Sequence, residues 1–169
     1  MKGLPIDRVR TFGDPVLKQG ASRVTRFDAD LRRLSGLMFE VMEREQGVGL
    51  AAPQVGVNKA LMVWEDPETG ERNALANPRI VERSDELVGD AEGCLSLPGH
   101  SMHVDRAARV VVEGEDLEGR TRRFEAEGLL ARIMQHEVDH LEGRLILDRT
   151  TREDRKRVLR ALRDSELGV

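Results

Sequence analysis

The sequence predicts a single α+β domain, and three observations carry that expectation. Its 169 residues lie within the roughly 100–200 of one ordinary domain. Short β-prone runs gather in the middle of the chain, with helical periodicity on either side. Helices and strands do not alternate as βα units, which argues against a doubly wound parallel sheet. No repeat, low-complexity run or long Ser/Gly/Pro linker divides the chain, so one unit over residues 1–169 is expected.

Residues 27–46 read as the first helix. Asp28 is a cap candidate, Leu31, Leu34, Leu37, Met38, Val41 and Met42 recur at three- and four-residue steps, and Gly47 ends the pattern. Between residues 60 and 124 come Leu61-Met62-Val63-Trp64, Ile80-Val81, Leu87-Val88, Val110-Val111-Val112 and the run 121–124, separated by Gly, Pro, Asp and Asn. These predict a largely antiparallel sheet region. Helical spacing returns over 128–141, where Leu129, Leu130, Ile133 and Met134 form an apolar stripe suited to a central buried helix. The last helix is expected over 151–167, opened by Thr151-x-x-Asp154 and carrying Val158, Leu159 and Leu162 on one side.

Composition excludes several function classes. With 27 basic and 31 acidic residues the net charge is −4, so no global field favours nucleic acid or an anionic membrane. Aromatic content is 3%, with no tyrosine and only Trp64 as tryptophan, too little for a base-stacking platform. No run approaches the roughly 20 apolar residues of a membrane span. The first residues, Met1 to Asp7, turn charged at once and lack the apolar core of a signal peptide, so a cytoplasmic protein is expected. Cys94 is the only cysteine and has no partner for an internal disulfide.

The strongest chemical signal is His136-Glu137-Val138-Asp139-His140 within the helix expected at 128–141. Residues four apart stand above one another on a helix face, so both imidazoles reach one metal while Glu137 projects beside it. A divalent metal lowers the pKa of bound water toward neutrality, and the glutamate takes its proton as the water attacks a carbonyl. The plain alternative is a helix with two hydrogen-bonded histidines. A catalytic site of this kind has three protein ligands, so a third is needed. The long zinc-protease pattern would put a histidine at position 146, which is Ile146, and neither Glu153 nor Glu166 is well placed. Cys94, in Glu92-Gly93-Cys94-Leu95-Ser96, is the favoured donor, with His100 and His103 as competitors. A Cys-His-His set would accept zinc, nickel or ferrous iron. Asp139 and Glu142 are expected to orient neighbours or to face arginines.

Residues 47–56, Gly-Val-Gly-Leu-Ala-Ala-Pro-Gln-Val-Gly, contain a weak Gly-x-Gly-x-x-Ala pattern. A dinucleotide fingerprint needs a preceding strand and a following helix, whereas here a helix precedes and Pro53 interrupts. The segment suits backbone laid close against an extended ligand, with Gln54 as an amide donor able to stabilise an oxyanion.

Together, Gly47 to Gln54, Glu92 to Ser96 and His136 to His140, with Phe12-Gly-Asp-Pro-Val-Leu17 and Gly128-Leu-Leu-Ala131, resemble the peptide deformylase family over nearly the whole chain. The resemblance implies sheets around a central helix bearing the two histidines. It implies removal of the formyl group from N-formylmethionine on nascent polypeptides, with formate released. Carried over by position, Cys94, His136 and His140 would hold one divalent metal. Ferrous iron is expected, with zinc or nickel able to replace it. Glu137 would be general base and then acid, and Gln54 with the Leu95 backbone N–H would bind the oxyanion. Gly49 and Gly93 would meet the substrate backbone, and Val48, Glu92, Leu129 and Ile133 would line the methionine pocket. A monomer is expected, with ribosome contact through the basic terminal helix as a further implication. Two departures stand out: residues 98–102 carry no arginine, and Arg132 replaces an aliphatic residue often found in the pocket helix. The competing readings are a zinc endopeptidase, which lacks its third ligand here, and a noncatalytic metal-binding or ribosome-bound module. Such a module would be expected to have lost Glu137 or Gln54.

Overall fold

The computed structural model describes residue 6 and residues 8–168; the stretch read for a targeting signal lies outside these except for Ile6, as does Val169. In chain order come helix α1 (Ala29–Arg44), strands β1 (Gly49–Ala51), β2 (Leu61–Glu65), β3 (Arg72–Arg83), β4 (Leu87–Gly93), β5 (Ser101–Ala107), β6 (Arg109–Glu115) and β7 (Thr121–Glu127), then helices α2 (Gly128–Leu141) and α3 (Arg152–Glu166). Short 3₁₀ turns occupy Pro15–Lys18, Ala52–Val55 and Ile146–Asp148. The strands form a five-stranded sheet, β1-β2-β3-β6-β7, and a separate β4-β5 hairpin, every pairing antiparallel. The architecture is α+β, as the sequence predicts.

Four of the five residues of β2 are buried, a continuous apolar run rather than an alternating one. Such runs occur where both faces of a strand are covered. Met62 and Trp64 pack on one side with Ile133, Met134 and Val138 of α2. Leu61 and Val63 pack on the other with Leu34, Met38 and Met42 of α1. The sheet is therefore sandwiched between two helices, and α2 becomes central.

Each helix is bounded by local chemistry. Asp28 caps α1 by accepting from the Leu31 N–H at 3.2 Å, so α1 starts after the predicted 27. It ends before 46, where Gln46 turns left-handed (φ 57°) and the Gly47 N–H returns to the Met42 carbonyl at 2.8 Å. The observed α2 coincides with the predicted span, yet its apolar stripe differs, since Leu129 is 55% exposed at the surface of a cleft. Gln135 pins α2 to the β5–β6 junction by accepting from the Ala107 N–H (3.0 Å) and donating to the Ala107 carbonyl (2.9 Å). Thr151 caps α3 by accepting from the Asp154 N–H at 3.1 Å. Val158, fully buried, seats α3 on Leu97, Met102, Ile146 and Leu147, with Phe12 and Cys94 packed on the same cluster. Burying a side chain of that size contributes about 1.5–3 kcal/mol.

Two strands are absent from the sequence expectation. The Gly-Leu-Ala of β1 is held in place by pairing with β2, Gly49 opposite Trp64. In β5, Met102, Val104 and Arg106 point inward while His103 and Asp105 face out. That alternation is present in the sequence but is masked by its polar residues.

Candidate metal centre

The α2 helix sets His136 and His140 one turn apart, with their Nε2 atoms 3.1 Å from each other. The chain leaving β4 turns sharply, the Leu97 N–H donating to the Cys94 carbonyl at 2.9 Å. This turn brings Cys94 Sγ to 3.3 Å from His140 Nε2. Among the described residues, these three donor atoms form a group lying within 4.8 Å of one another that could hold a metal ion. The competitors fall elsewhere. His103 stands on the exposed face of β5, 2.8 Å from Asp105, and His100 lines the nearby cleft without joining the group.

His136 is oriented from behind. Its Nδ1 lies 2.6 Å from Glu92 Oε1, which puts a ring proton on Nδ1 and turns Nε2, the nitrogen available to a metal, toward Cys94 and His140. Glu92 is itself held by Arg106, whose Nη2 and Nε donate to its two oxygens at 2.7 and 3.1 Å, and by Arg132 Nη1 at 2.9 Å. The third Arg106 donor reaches Asp139 at 2.6 Å, and Arg149 donates twice to the same carboxylate. Asp139 thus faces arginines, as expected. Arg132 also donates to the Val104 and Val88 carbonyls, tying α2 to both strands of the hairpin. Glu92 lies in the cleft wall, but its carboxylate is taken up by His136 and two arginines. Its carboxylate is thereby placed to orient a ligand, while the residue itself stays in the wall of the cleft.

Electrostatics agree with this arrangement. Burial pushes the Glu92 carboxyl up, but hydrogen bonds from His136 and Arg106 outweigh it and hold the group down at about 2. Burial likewise raises the Cys94 thiol, and the His140 and His136 imidazoles overcome that and keep it well below its ordinary value. For His136 burial pulls downward, and the Cys94 sulfur and Glu92 prevail, raising it well above the usual imidazole range. A pocket that stabilises both a thiolate and positive charge beside it suits a divalent cation. Glu137 is different: burial is the largest influence on it, and its carboxyl is raised. Its Oε2 and the His140 Nδ1 are buried polar atoms without partners among the described residues. An orphaned carboxylate oxygen beside three convergent donor atoms fits a site completed by a metal and water.

The donor group opens onto a cleft of about 630 Å³, whose wall includes Val48, Gly49, Gln54, Gly93, Leu95 and Ile133. Val48 and Leu129 are each about half exposed, while Ile133 is 5% exposed. A side chain at Gly49 would bring a Cβ within 2.7 Å of Glu137 Oε1, so the glycine is required by close approach. Gln54, 1% exposed, accepts from the Ala51 N–H at 3.0 Å and turns its Nε2 toward Ser96 Oγ (3.2 Å) and Cys94 Sγ (3.9 Å). All the residues singled out for the site thus meet at one cleft or directly beneath it. Local sequence reading misses Arg106 and Arg149, and it reads Ser96 only as the end of the cysteine motif. An arginine on the inward register of a strand demands a buried carboxylate, so Arg106 was discoverable once β5 was recognised.

Comparison with known proteins agrees with this site. A model of the polypeptide deformylase family matches residues 6–156. The peptide deformylase of Dictyoglomus thermophilum is 48% identical over 153 residues, covering 89% of this chain and 97% of that protein. The crystal structure of peptide deformylase from Thermus thermophilus superposes with a TM-score of 0.86 at 44% identity, covering 92% of each chain. A peptide deformylase from Synechococcus elongatus in complex with actinonin gives a TM-score of 0.86 at 41% identity, over 95% of this chain and 87% of that one.

Proposed function

The chain belongs to the polypeptide deformylase family and is a hydrolase of N-formylmethionyl peptides, and from that premise we propose that it removes the formyl group at the Cys94–His136–His140 cleft with Glu137 as its proton-transfer group. The observation that carries the reading is the buried, unpartnered Glu137 carboxylate oxygen beside three convergent donor atoms. Cys94, His136 and His140 would hold one divalent cation, which would supply Lewis acidity to the hydrolysis; ferrous iron is the proposed occupant, with zinc or nickel able to substitute.

The chain's own groups do the rest. Glu137, raised by burial, accepts a proton from the water as it adds to the formyl carbon. It returns the proton to the amine nitrogen as the C–N bond breaks, releasing formate and a free amino terminus. Gln54 Nε2 and the Leu95 N–H donate to the oxygen that gains charge. Gly49 and Gly93 present backbone to the peptide, and Val48, Leu129 and Ile133 receive the methionine side chain. Glu92 keeps His136 in its ligating tautomer.

Anaerobic purification, metal analysis and formate release from formyl-Met-Ala on one sample test this reading. Glu137→Gln should keep about one metal per chain and lose roughly 10²-fold or more in turnover, the scale of general acid–base catalysis. An internal peptide should not be cleaved. Near-normal turnover in metal-loaded Glu137→Gln overturns the proton-transfer role.

The basic helix supports a second element of the proposal, contact with the ribosome by a cytoplasmic monomer. Arg152, Arg155, Lys156, Arg157 and Arg160 are all exposed, but Arg155 and Arg157 also donate to the Leu147 and Ser101 carbonyls and so hold α3 to the domain, which leaves Arg152, Lys156 and Arg160 for the test. Neutralising those three should weaken ribosome co-sedimentation most clearly at low salt, with formyl-Met-Ala hydrolysis unchanged. Equal co-sedimentation across a salt series returns α3 to packing alone. Among the described residues no helix is long and apolar enough to cross a membrane.

A further inference from the structure

Two sequence motifs have no task in the proposed reaction: the segment beginning at Phe12, and the serine that ends Glu92-Gly93-Cys94-Leu95-Ser96. The structure joins them. Ser96 is fully buried, and its hydroxyl accepts from Gln54 Nε2 at 3.2 Å, across 42 residues of sequence. The Ser96 carbonyl accepts from the Phe12 N–H at 2.9 Å, and two residues earlier the Arg10 N–H donates to the Gln54 carbonyl at 2.6 Å. Residues 10–12 are therefore a strap that cross-links the turn carrying Gln54 to the loop carrying Cys94 and Ser96. Phe12 and Cys94 pack on the same apolar cluster, which anchors the strap from the side.

A carboxamide is planar, so fixing two of its polar positions fixes the third. Gln54 Oε1 is pinned by the Ala51 N–H at 3.0 Å. With one N–H on Ser96 Oγ, the other is directed to the Cys94 side of the cleft, where Sγ lies at 3.9 Å. We propose that Ser96 is a positioning residue for the Gln54 amide, its own backbone held in register by the strap at residues 10–12. Without the Ser96 hydroxyl the amide keeps its Ala51 contact and, on the nitrogen, only the long 3.9 Å approach to Cys94 Sγ, and can swing about the former. Preorganised donors lose catalytic value when they must be ordered at the moment of reaction. This inference rests on the reading of Gln54 as an oxyanion donor, and its test separates the two.

A double-mutant cycle on the metal-loaded protein, with kcat and KM for formyl-Met-Ala and metal per chain, gives the answer. Gln54→Ala should lower kcat by on the order of 10²–10³. Ser96→Ala should lower it roughly tenfold, a fraction of the effect of removing the donor itself, with KM and metal content unchanged. The double variant should equal Gln54→Ala alone, because Ser96 acts only through that amide. Multiplying effects, or a wild-type kcat in Ser96→Ala, overturn the positioning role while the oxyanion reading stands. A wild-type kcat in Gln54→Ala overturns the oxyanion reading itself. In the zinc-loaded protein, the Gln54 side-chain amide protons should exchange faster with solvent in Ser96→Ala, and unchanged exchange also overturns the proposal. If Ser96→Ala does not fold, Ser96→Thr and Ser96→Val make the same comparison at equal shape. The Thr variant should be the faster by roughly tenfold, and equality overturns the role.

Discussion

Gly49 lacks a side chain because Glu137 and Ile133 occupy the space where one would be. An added Cβ would meet Glu137 Oε1 at 2.7 Å and Ile133 Cγ2 at 3.1 Å. Gly49→Ala in the metal-loaded protein should therefore lose on the order of 10-fold or more in turnover, since small misplacements of Glu137, the proposed proton-transfer group, would be costly; an assay of formate release beside metal content checks this. Arg106 makes a different demand. It serves two buried carboxylates at once, Glu92 and Asp139, with a side chain only 5% exposed. Arg106→Leu would take one buried cation from each carboxylate, leaving Glu92 to Arg132 and His136 and Asp139 to Arg149, at a cost of up to about 3–5 kcal/mol. A fall of that size in unfolding free energy, measured by urea denaturation, should be accompanied by weaker metal binding because Glu92, the partner of His136, is then held by Arg132 alone.

At the scale of elements, α2 and α3 read very differently. The two histidines, the glutamate and the apolar residues of α2 belong to one helical period, which is why its limits coincide with the predicted ones. For α3, one apolar face is legible in sequence, whereas its attachment to β5 is made by polar groups distant along the chain. Asp154 accepts from the His103 N–H at 2.8 Å. That bond, followed by Arg157, holds the Asp154 carboxyl below its usual 3.8. A carboxylate lowered on folding contributes stability that is present above 3.8 and is lost as pH falls through its lower folded value. Asp154→Ala should therefore reduce the thermal midpoint at pH 6. The gap from wild type should close as the pH is taken below 3.8, as followed by circular dichroism. A gap of equal size at both ends would assign the effect to helix capping geometry rather than to charge.

For the whole molecule, the metal group draws on α2 and on the loop after β4, two parts of the chain joined only by folding. An ion that binds the assembled group and not the unfolded chain stabilises by about 2.7 kcal/mol at a hundred times its dissociation constant. Stripping it with a chelator should lower the thermal midpoint by on the order of 5–10 °C for a domain of this size. Cys94→Ala should reproduce the low midpoint and respond little to added metal. A chelator-insensitive midpoint in the wild type would show that the fold does not depend on the ion.

The sequence by itself determined the α+β class and the span of α2, and it nominated Cys94, His136 and His140 as a donor set and Glu137 and Gln54 as candidates. All of these rest on local spacing, on the chemistry of one residue type, or on motifs that resemble a family. What only the tertiary structure decided are the relations between segments far apart in sequence. Arg106 reaches Glu92 across 14 residues and Asp139 across 33. Gln54 meets Ser96 across 42, and His136 is oriented by Glu92 across 44. The physical reason is that a buried polar group must find a partner, but which partner it finds depends on how strands and helices stack. Periodicity says that Arg106 points inward; only the packing of β5 against α2 says that it meets two carboxylates there.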